Sequence, residues 1–204
     1  MAQMKKKAFT MPRPVRITGR TSTITNSFVN GIIPVVMPSD AEVDEALSIL
    51  GMNRNDVRCA YCGDMSTEWD HLRPIVQKER PTGFISEIAN LVPACGKCNQ
   101  SKSGYPWEQW IDGQARLSPG KRGTPDLSGR IRRLKMYESW RKPTRIDFAC
   151  VVQPDLWDAH WKNLERLHAL MRECQITSDK IRLSVDRAFR AQQDAPPDAA
   201  MPRQ

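Results

Sequence analysis

The chain has 204 residues, 40% of them hydrophobic and 26% charged, with a net charge of +8, which suits one soluble globular domain with a core of its own plus an appendage. No run approaches the length of a membrane-spanning helix, and Lys5-Lys6-Lys7 is followed by no long apolar stretch of the kind a secretory signal needs. The charge is unevenly placed: residues 1–20 hold six Lys/Arg and no acid, residues 113–146 hold ten against Asp126 and Glu138, and the remainder is net −6. Positive charge confined to two segments is the footprint expected for a polyanionic partner.

In chain order, residues 1–23 mix basic residues with Pro, Gly and Thr without a period. They read as a basic flexible arm, either laid along phosphates or in a minor groove, or solvated as a tail. Residues 28–37 (FVNGIIPVVM) are apolar and β-branched, with Pro34 limiting any strand to an edge, and are assigned to the core. Ser39 and Glu42 form a capping-box pattern, Val43, Ala46, Leu47 and Leu50 follow at helical spacing, and Gly51 ends a predicted short amphipathic helix.

Next come two Cys-x-x-Cys pairs, Cys59/Cys62 and Cys95/Cys98, separated by the thirty-two residues 63–94. Thiolates three positions apart on a tight turn can point at one ion, and a second such turn completes the tetrahedral sulfur set of a closed structural zinc site. A redox Cys-x-x-Cys normally occurs once, near a βαβ pattern, and disulfides suit secreted chains. Zinc held by four protein sulfurs has no open coordination position, so it staples the fold and does no chemistry. Cys150 and Cys174 are read as ordinary buried thiols.

Between and after the pairs lie Trp69-Asp70-His71-Leu72-Arg73-Pro74, then Asn90-Leu91-Val92-Pro93, then Cys95-Gly96-Lys97-Cys98-Asn99-Gln100-Ser101-Lys102. In type, order and spacing these resemble the HNH endonucleases of the ββα-metal superfamily, over about a fifth of the chain. The resemblance implies that His71 is the general base that takes a proton from the attacking water. It makes Asp70 a ligand of a catalytic divalent ion, Asn90 the residue that holds the loop and orients the base, and Asn99 the second protein ligand of that ion. Asn99 stands where the family has His or Asn, so the chain departs from the literal H-N-H lettering.

The chemistry is consistent with these roles. Phosphodiester hydrolysis needs a base titrating near neutrality and a cation on the developing charge. Asp and Asn supply hard oxygen ligands suited to Mg²⁺ or Mn²⁺. Neighbours on a strand point to opposite faces, so Asp70 and His71 reach one phosphate only where the strand ends, and Pro74 places that end nearby. Asn99 and Lys102 share a helix face, which would bring Lys102 to a phosphate beside the ion.

In the loop between His71 and Asn90, Arg73, Lys78 and Arg80 are candidate contacts to the DNA backbone, while Phe84, Ile85 and Ile88 form an apolar anchor. Pro106 starts a second short helix, PWEQWIDG, with Trp107, Trp110 and Ile111 facing the core rather than stacking on bases. Residues 113–129 read as a Gly/Pro/Ser linker. Beyond it, Ile131, Leu134, Tyr137 and Trp140 recur on a helix carrying Arg130, Arg132, Arg133, Lys135, Arg141, Lys142 and Arg145. Its arginines either read guanine edges or only hold phosphates. From Pro154 an apolar stripe runs through Trp157, Trp161, Leu164, His168 and Met171. Ser178 caps a final helix with Ile181, Val185 and Phe189, and the two helices are expected to pair as a hairpin. His160 and His168 are packing residues, and residues 191–204 form a disordered tail.

The sequence therefore predicts an α+β protein. Its divisions are the arm (1–23), a zinc-bound ββα-metal core (24–112), a basic linker and helical region that contacts DNA (113–190), and the tail (191–204). The expected function is metal-dependent endonucleolytic hydrolysis of double-stranded DNA, leaving 5′-phosphate and 3′-hydroxyl ends as the resemblance implies. A small stand-alone enzyme of this kind resembles bacterial restriction and phage-encoded nucleases of the cytoplasm, and a homodimer would supply two active sites for a duplex. The competing readings are an RNA-cleaving nuclease and a zinc-dependent nucleic-acid-binding protein without catalysis.

Overall fold

The computed structural model describes residues 11–194 and divides into two compact units, residues 25–157 and residues 1–24 with 158–204. Lys5-Lys6-Lys7 and most of the predicted tail lie outside the described residues. No described helix is long and apolar enough to cross a membrane.

The larger unit is built on a short antiparallel strand pair and the helix that follows it. Strand β1 (Glu68–His71) pairs with β4 (Leu91–Ala94), setting Asp70 opposite Val92 and His71 opposite Leu91. Helix α3 (Gly96–Lys102) begins directly after β4 and packs against β1, giving the expected strand–strand–helix core. A two-residue pair, β2 (Val76–Gln77) with β3 (Arg80–Pro81), lies in the connection. Its turn holds Lys78 and Glu79 at φ 49° and 60°, a left-handed conformation costly for residues with a Cβ.

Helix α2 (Asp40–Ile49) starts at the predicted capping box, with Ser39 accepting from the Glu42 N–H and Glu42 accepting from the Ser39 N–H. Ala46, Leu47 and Leu50 are buried, and Ala46 and Leu50 join a core of Tyr61, Leu72, Val92, Trp107, Trp110, Ile111, Leu134 and Tyr137. Trp107, Trp110 and Ile111 come from helix α4 (Trp107–Ile111), which Pro106 precedes as cap. Leu134 and Tyr137 come from α5 (Leu127–Trp140), whose Tyr137 hydroxyl donates to the Leu91 and Ile88 carbonyls and so registers the helix on β4. Helix α6 (Phe148–Val151) follows.

Several local expectations are corrected. The arm has no period in sequence, yet Ile17–Arg20 form a 3-10 helix and α1 runs over Thr21–Asn30. Residues 28–37 reach the core only through Val29 and Ile33, which are buried, and they form no strand: Phe28 and Val29 belong to α1, Val35 makes only a bridge to Ser86, and Val35, Val36 and Met37 are exposed. A short apolar run has no decisive period, and here the helix claims its first three residues. Nor is 113–129 a loose linker. Ser118 is fully buried, its hydroxyl donates to the Gly113 carbonyl, and the Gly120 N–H donates to Ile111.

The smaller unit contains most of α7 (Pro154–Gln193), one 40-residue helix in place of the predicted hairpin. Residues 172–180 carry neither Gly nor Pro, so Ser178 alone could not interrupt the backbone hydrogen-bond ladder. Trp161, Leu164, His168 and Gln175 are buried, and the Gln175 side-chain carbonyl accepts from the Ile17 N–H at 2.7 Å. Cys150 and Cys174, expected inside, are both exposed.

Candidate active site and metal centre

The Cys59–Cys62 turn is closed by the Gly63 N–H on the Cys59 carbonyl, and the Ala60 N–H donates to Pro93, which fixes the turn to β4. Cys95 sits at the start of α3 and Cys98 within it, so the second pair is set where the strand becomes a helix. All four thiols are buried, and their ligand atoms lie within 4.8 Å of one another. Tetrahedral zinc with sulfur at about 2.3 Å requires sulfur–sulfur edges of about 3.8 Å; Cys62 and Cys95 stand 3.6 Å apart. The residues fit a closed structural zinc site. Arg122 completes it from the 113–129 segment by directing Nη2 at Cys98 Sγ, 3.0 Å away.

The Cys59–Cys62 turn also reaches the polar site. Tyr61, between the first two cysteines, is fully buried, packs edge-on against Trp110 at 5.2 Å, and donates its hydroxyl to Asp70 Oδ2 at 2.6 Å. The same carboxylate oxygen lies 3.1 Å from Lys102 Nζ, which donates at 2.7 Å to the His71 carbonyl. Burial pushes the Asp70 carboxyl up and the Lys102 ammonium down, each toward its neutral form, and their mutual attraction opposes both. Lys102 is wholly buried, so it braces the strand end where an outward phosphate contact was expected.

Glu68 and Asp70 share one face of β1, and Asn99 and Lys102 share one face of α3. The faces meet as two polar rungs, Asp70 with Lys102 and Glu68 with Asn99, whose Nδ2 donates to Glu68 Oε2 at 2.5 Å. With Nδ2 so committed, Oδ1 is the atom Asn99 offers to a cation. The donor set facing this interval is carboxylate and amide oxygen, suited to a hard divalent ion.

His71 lies at the last position of β1. Its Nε2 is 2.8 Å from Ser86 Oγ, and burial, reinforced by the Lys102 charge, lowers its pKa to about 4. The imidazole is therefore neutral at physiological pH. Asn90, fully buried, accepts from the Arg73 N–H at 2.8 Å and donates to the Arg73 and Ile85 carbonyls at 3.1 and 3.2 Å. One amide thus ties the chain two residues after His71 to the residue before Ser86.

The cations proposed to touch DNA fall into distinct environments. Arg73 ion-pairs with Glu108 and Glu138, Arg133 with Asp126 and Arg141 with Glu42, while Arg130 donates to the Cys59 and Pro125 carbonyls. Arg80 donates to the Glu79 carbonyl, Lys78 is exposed at the β2–β3 turn, and Arg132, Lys135 and Lys142 are exposed along and beyond α5. Glu68, Tyr61, Ser86 and Arg122 were not foreseen. Strand alternation from Asp70 would have pointed to Glu68; the other three are tertiary contacts without a local signature.

Residues 59–104 match the family model described as HNH endonuclease. The chain is 35% identical over 77 residues to a CRISPR-associated endonuclease Cas9 of Corynebacterium diphtheriae. That similarity covers 36% of this chain and 6% of the Cas9 protein. No solved structure matches the chain. These similarities support a nuclease-type region at residues 59–104.

Proposed function

We propose that the chain is a divalent-metal-dependent endonuclease that hydrolyses phosphodiester bonds of double-stranded DNA. The observation that carries this reading is the neutral His71, held at a strand end by Ser86 and Asn90 beside a carboxylate and amide interval. His71 accepts the proton of the attacking water, for which a neutral imidazole with a free lone pair is required. Ser86 fixes the ring through Nε2, and Asn90 keeps the His71 and Ser86 segments in register.

Asp70 and Asn99 would hold Mg²⁺ or Mn²⁺, with Glu68 beside them. When bound, such an ion supplies Lewis acidity toward the scissile phosphate and its leaving oxygen. Lys102 positions the strand end through the His71 carbonyl and balances the buried Asp70. The four-cysteine zinc, through Tyr61, holds Asp70 in place. Zinc thiolates together with exposed Cys150 and Cys174 suit a reducing cytoplasm, as for a restriction or phage-type enzyme.

One observation favours a second reading. Asp70 is already satisfied by Tyr61 and Lys102, as it would be in a zinc-dependent binding protein that does not cut. Incubating zinc-loaded protein with supercoiled plasmid, with and without Mg²⁺ or Mn²⁺, beside His71→Ala separates the two. Metal-dependent linear or banded products, lost in the variant while zinc content and DNA binding persist, are expected. DNA bound but uncut under every divalent ion would remove the catalytic reading. A parallel digestion of structured RNA tests the choice of substrate.

A further inference from the structure

Seven Lys/Arg residues fall within residues 130–145, and the structure separates them by what they touch. Arg130, Arg133 and Arg141 are committed to carbonyls or carboxylates of the protein, and Arg145 donates Nε to the Thr82 carbonyl at 3.3 Å, keeping its terminal nitrogens for a phosphate. Arg132 and Lys135 point outward from α5, and Lys142 lies just past its end; none of the three has an ion-pair partner among the described residues. Arg132, Lys135 and Ser139 follow at three- and four-residue steps, so they share one helix face, about 10 Å long at 1.5 Å per residue. That length matches about three base-pair steps of a DNA strand at 3.4 Å.

This face borders two concavities. One, of about 710 Å³, is lined by Arg73, Phe84, Lys135, Lys142 and Arg145 among others; its neighbour, of about 510 Å³, shares Lys135 and Ser139 and adds Arg132. The acid in the first, Glu138, is paired with Arg73, so the groove is net positive. Its lining is tied by the chain to the candidate base: Arg73 is two residues beyond His71, and Phe84 is two residues before the Ser86 that holds the imidazole. Arg145 lies over the Phe84 ring at 5.9 Å.

Resting on the nuclease reading, we propose that Arg132, Lys135, Lys142 and Arg145 form a track for the phosphates of one DNA strand running away from the scissile bond. Reading guanine edges requires a free guanidinium fork. On α5 and the segment after it, Arg130, Arg133 and Arg141 have theirs engaged internally and Arg145 gives its Nε to the Thr82 carbonyl at 3.3 Å, which among the described residues leaves Arg132 alone with a free fork. With one such fork over the whole region, the track gives affinity and register with little sequence choice. Phe84 supplies an apolar wall for a sugar or base edge.

The test uses full-length zinc-loaded protein carrying His71→Ala, with fluorescent duplexes of several unrelated sequences titrated across a salt series. Lys135→Ala with Lys142→Ala should weaken binding equally for every sequence. The pair should also reduce the slope of log affinity against log salt by about 2, close to 0.9 for each phosphate no longer neutralised. Lys121→Ala, on the 113–129 segment, should leave the slope unchanged. An unchanged slope in the double variant, or a weakening confined to one sequence, overturns the track. Plasmid digestion by the protein with His71 intact separates the readings: cleavage with an unmoved slope sinks the track alone, and a shifted slope without cleavage sinks the nuclease alone.

Discussion

Lys102→Met is the sharpest probe of the polar interval. The ammonium is fully buried, 3.1 Å from Asp70 Oδ2 and 2.7 Å from the His71 carbonyl. Methionine has a similar length but leaves a buried carboxylate with only the Tyr61 hydroxyl. Removing one partner of a buried pair typically costs about 3–5 kcal/mol, because the remaining charge stays desolvated. Replacing both by uncharged groups of similar volume is often near neutral, so Lys102→Met with Asp70→Asn should recover most of the loss. The sign with pH follows from Asp70. Burial already raises its pKa and Lys102 opposes that rise, so losing the ammonium raises it further. The Lys102→Met penalty should therefore shrink as the buffer is made more acidic and Asp70 takes up a proton. Urea unfolding of the zinc-loaded protein at two pH values measures both effects. A Lys102→Met loss below about 1 kcal/mol, or a double variant less stable than the single, would refute a pair isolated from water.

Other perturbations separate the remaining contacts. Arg122→Ala removes the guanidinium that faces Cys98 Sγ, and zinc transfer to a chelator, followed with a colorimetric indicator, should become several-fold faster; an unaltered rate would mean that Arg122 does not guard the thiolates. Glu42 has its pKa lowered to about 2, chiefly by Arg141 and then by Ser39. A depressed carboxyl stabilises the fold above its unfolded value and loses that contribution as pH falls through the folded one. Glu42→Gln should therefore flatten the stability curve between about pH 4.5 and 2, and acid titrations of melting temperature that superimpose for the two proteins would contradict this.

The four-cysteine cluster and the strand–strand–helix order could be read from the sequence because metal spacing and the Asp-His, Asn and Cys-x-x-Cys-Asn landmarks are local. The capping box of α2 and the buried tryptophans of α4 were readable for the same reason. What could not be read was set by tertiary contact. Ser86 lies fifteen residues from His71, and no spacing rule links a loop serine to a histidine ring. Arg122 comes from a Gly- and Pro-rich stretch that composition marks as loose, yet hydrogen bonds at Gly113, Ser118 and Gly120 fold it back. The continuous α7 was missed because Ser178 suits a helix start, whereas ending the preceding helix needed a breaker the sequence lacks. The basic region 130–145 reads as one uniform patch until the structure shows which cations the protein itself has claimed.

The division of the chain also bears on how the protein is made. Unit 25–157 is contiguous, whereas the smaller unit joins residues 1–24 to residues from 158 onward. A ribosome adding about 5–20 residues per second delivers domains in sequence order. Ile17 must therefore wait while a further 158 residues are added, on the order of 8–32 s, before Gln175 emerges to receive its N–H. During that interval both cysteine pairs have already left the ribosome, so metal capture can precede closure of the smaller unit. Release of nascent chains arrested before and after residue 175, probed by limited proteolysis, would time the two events separately.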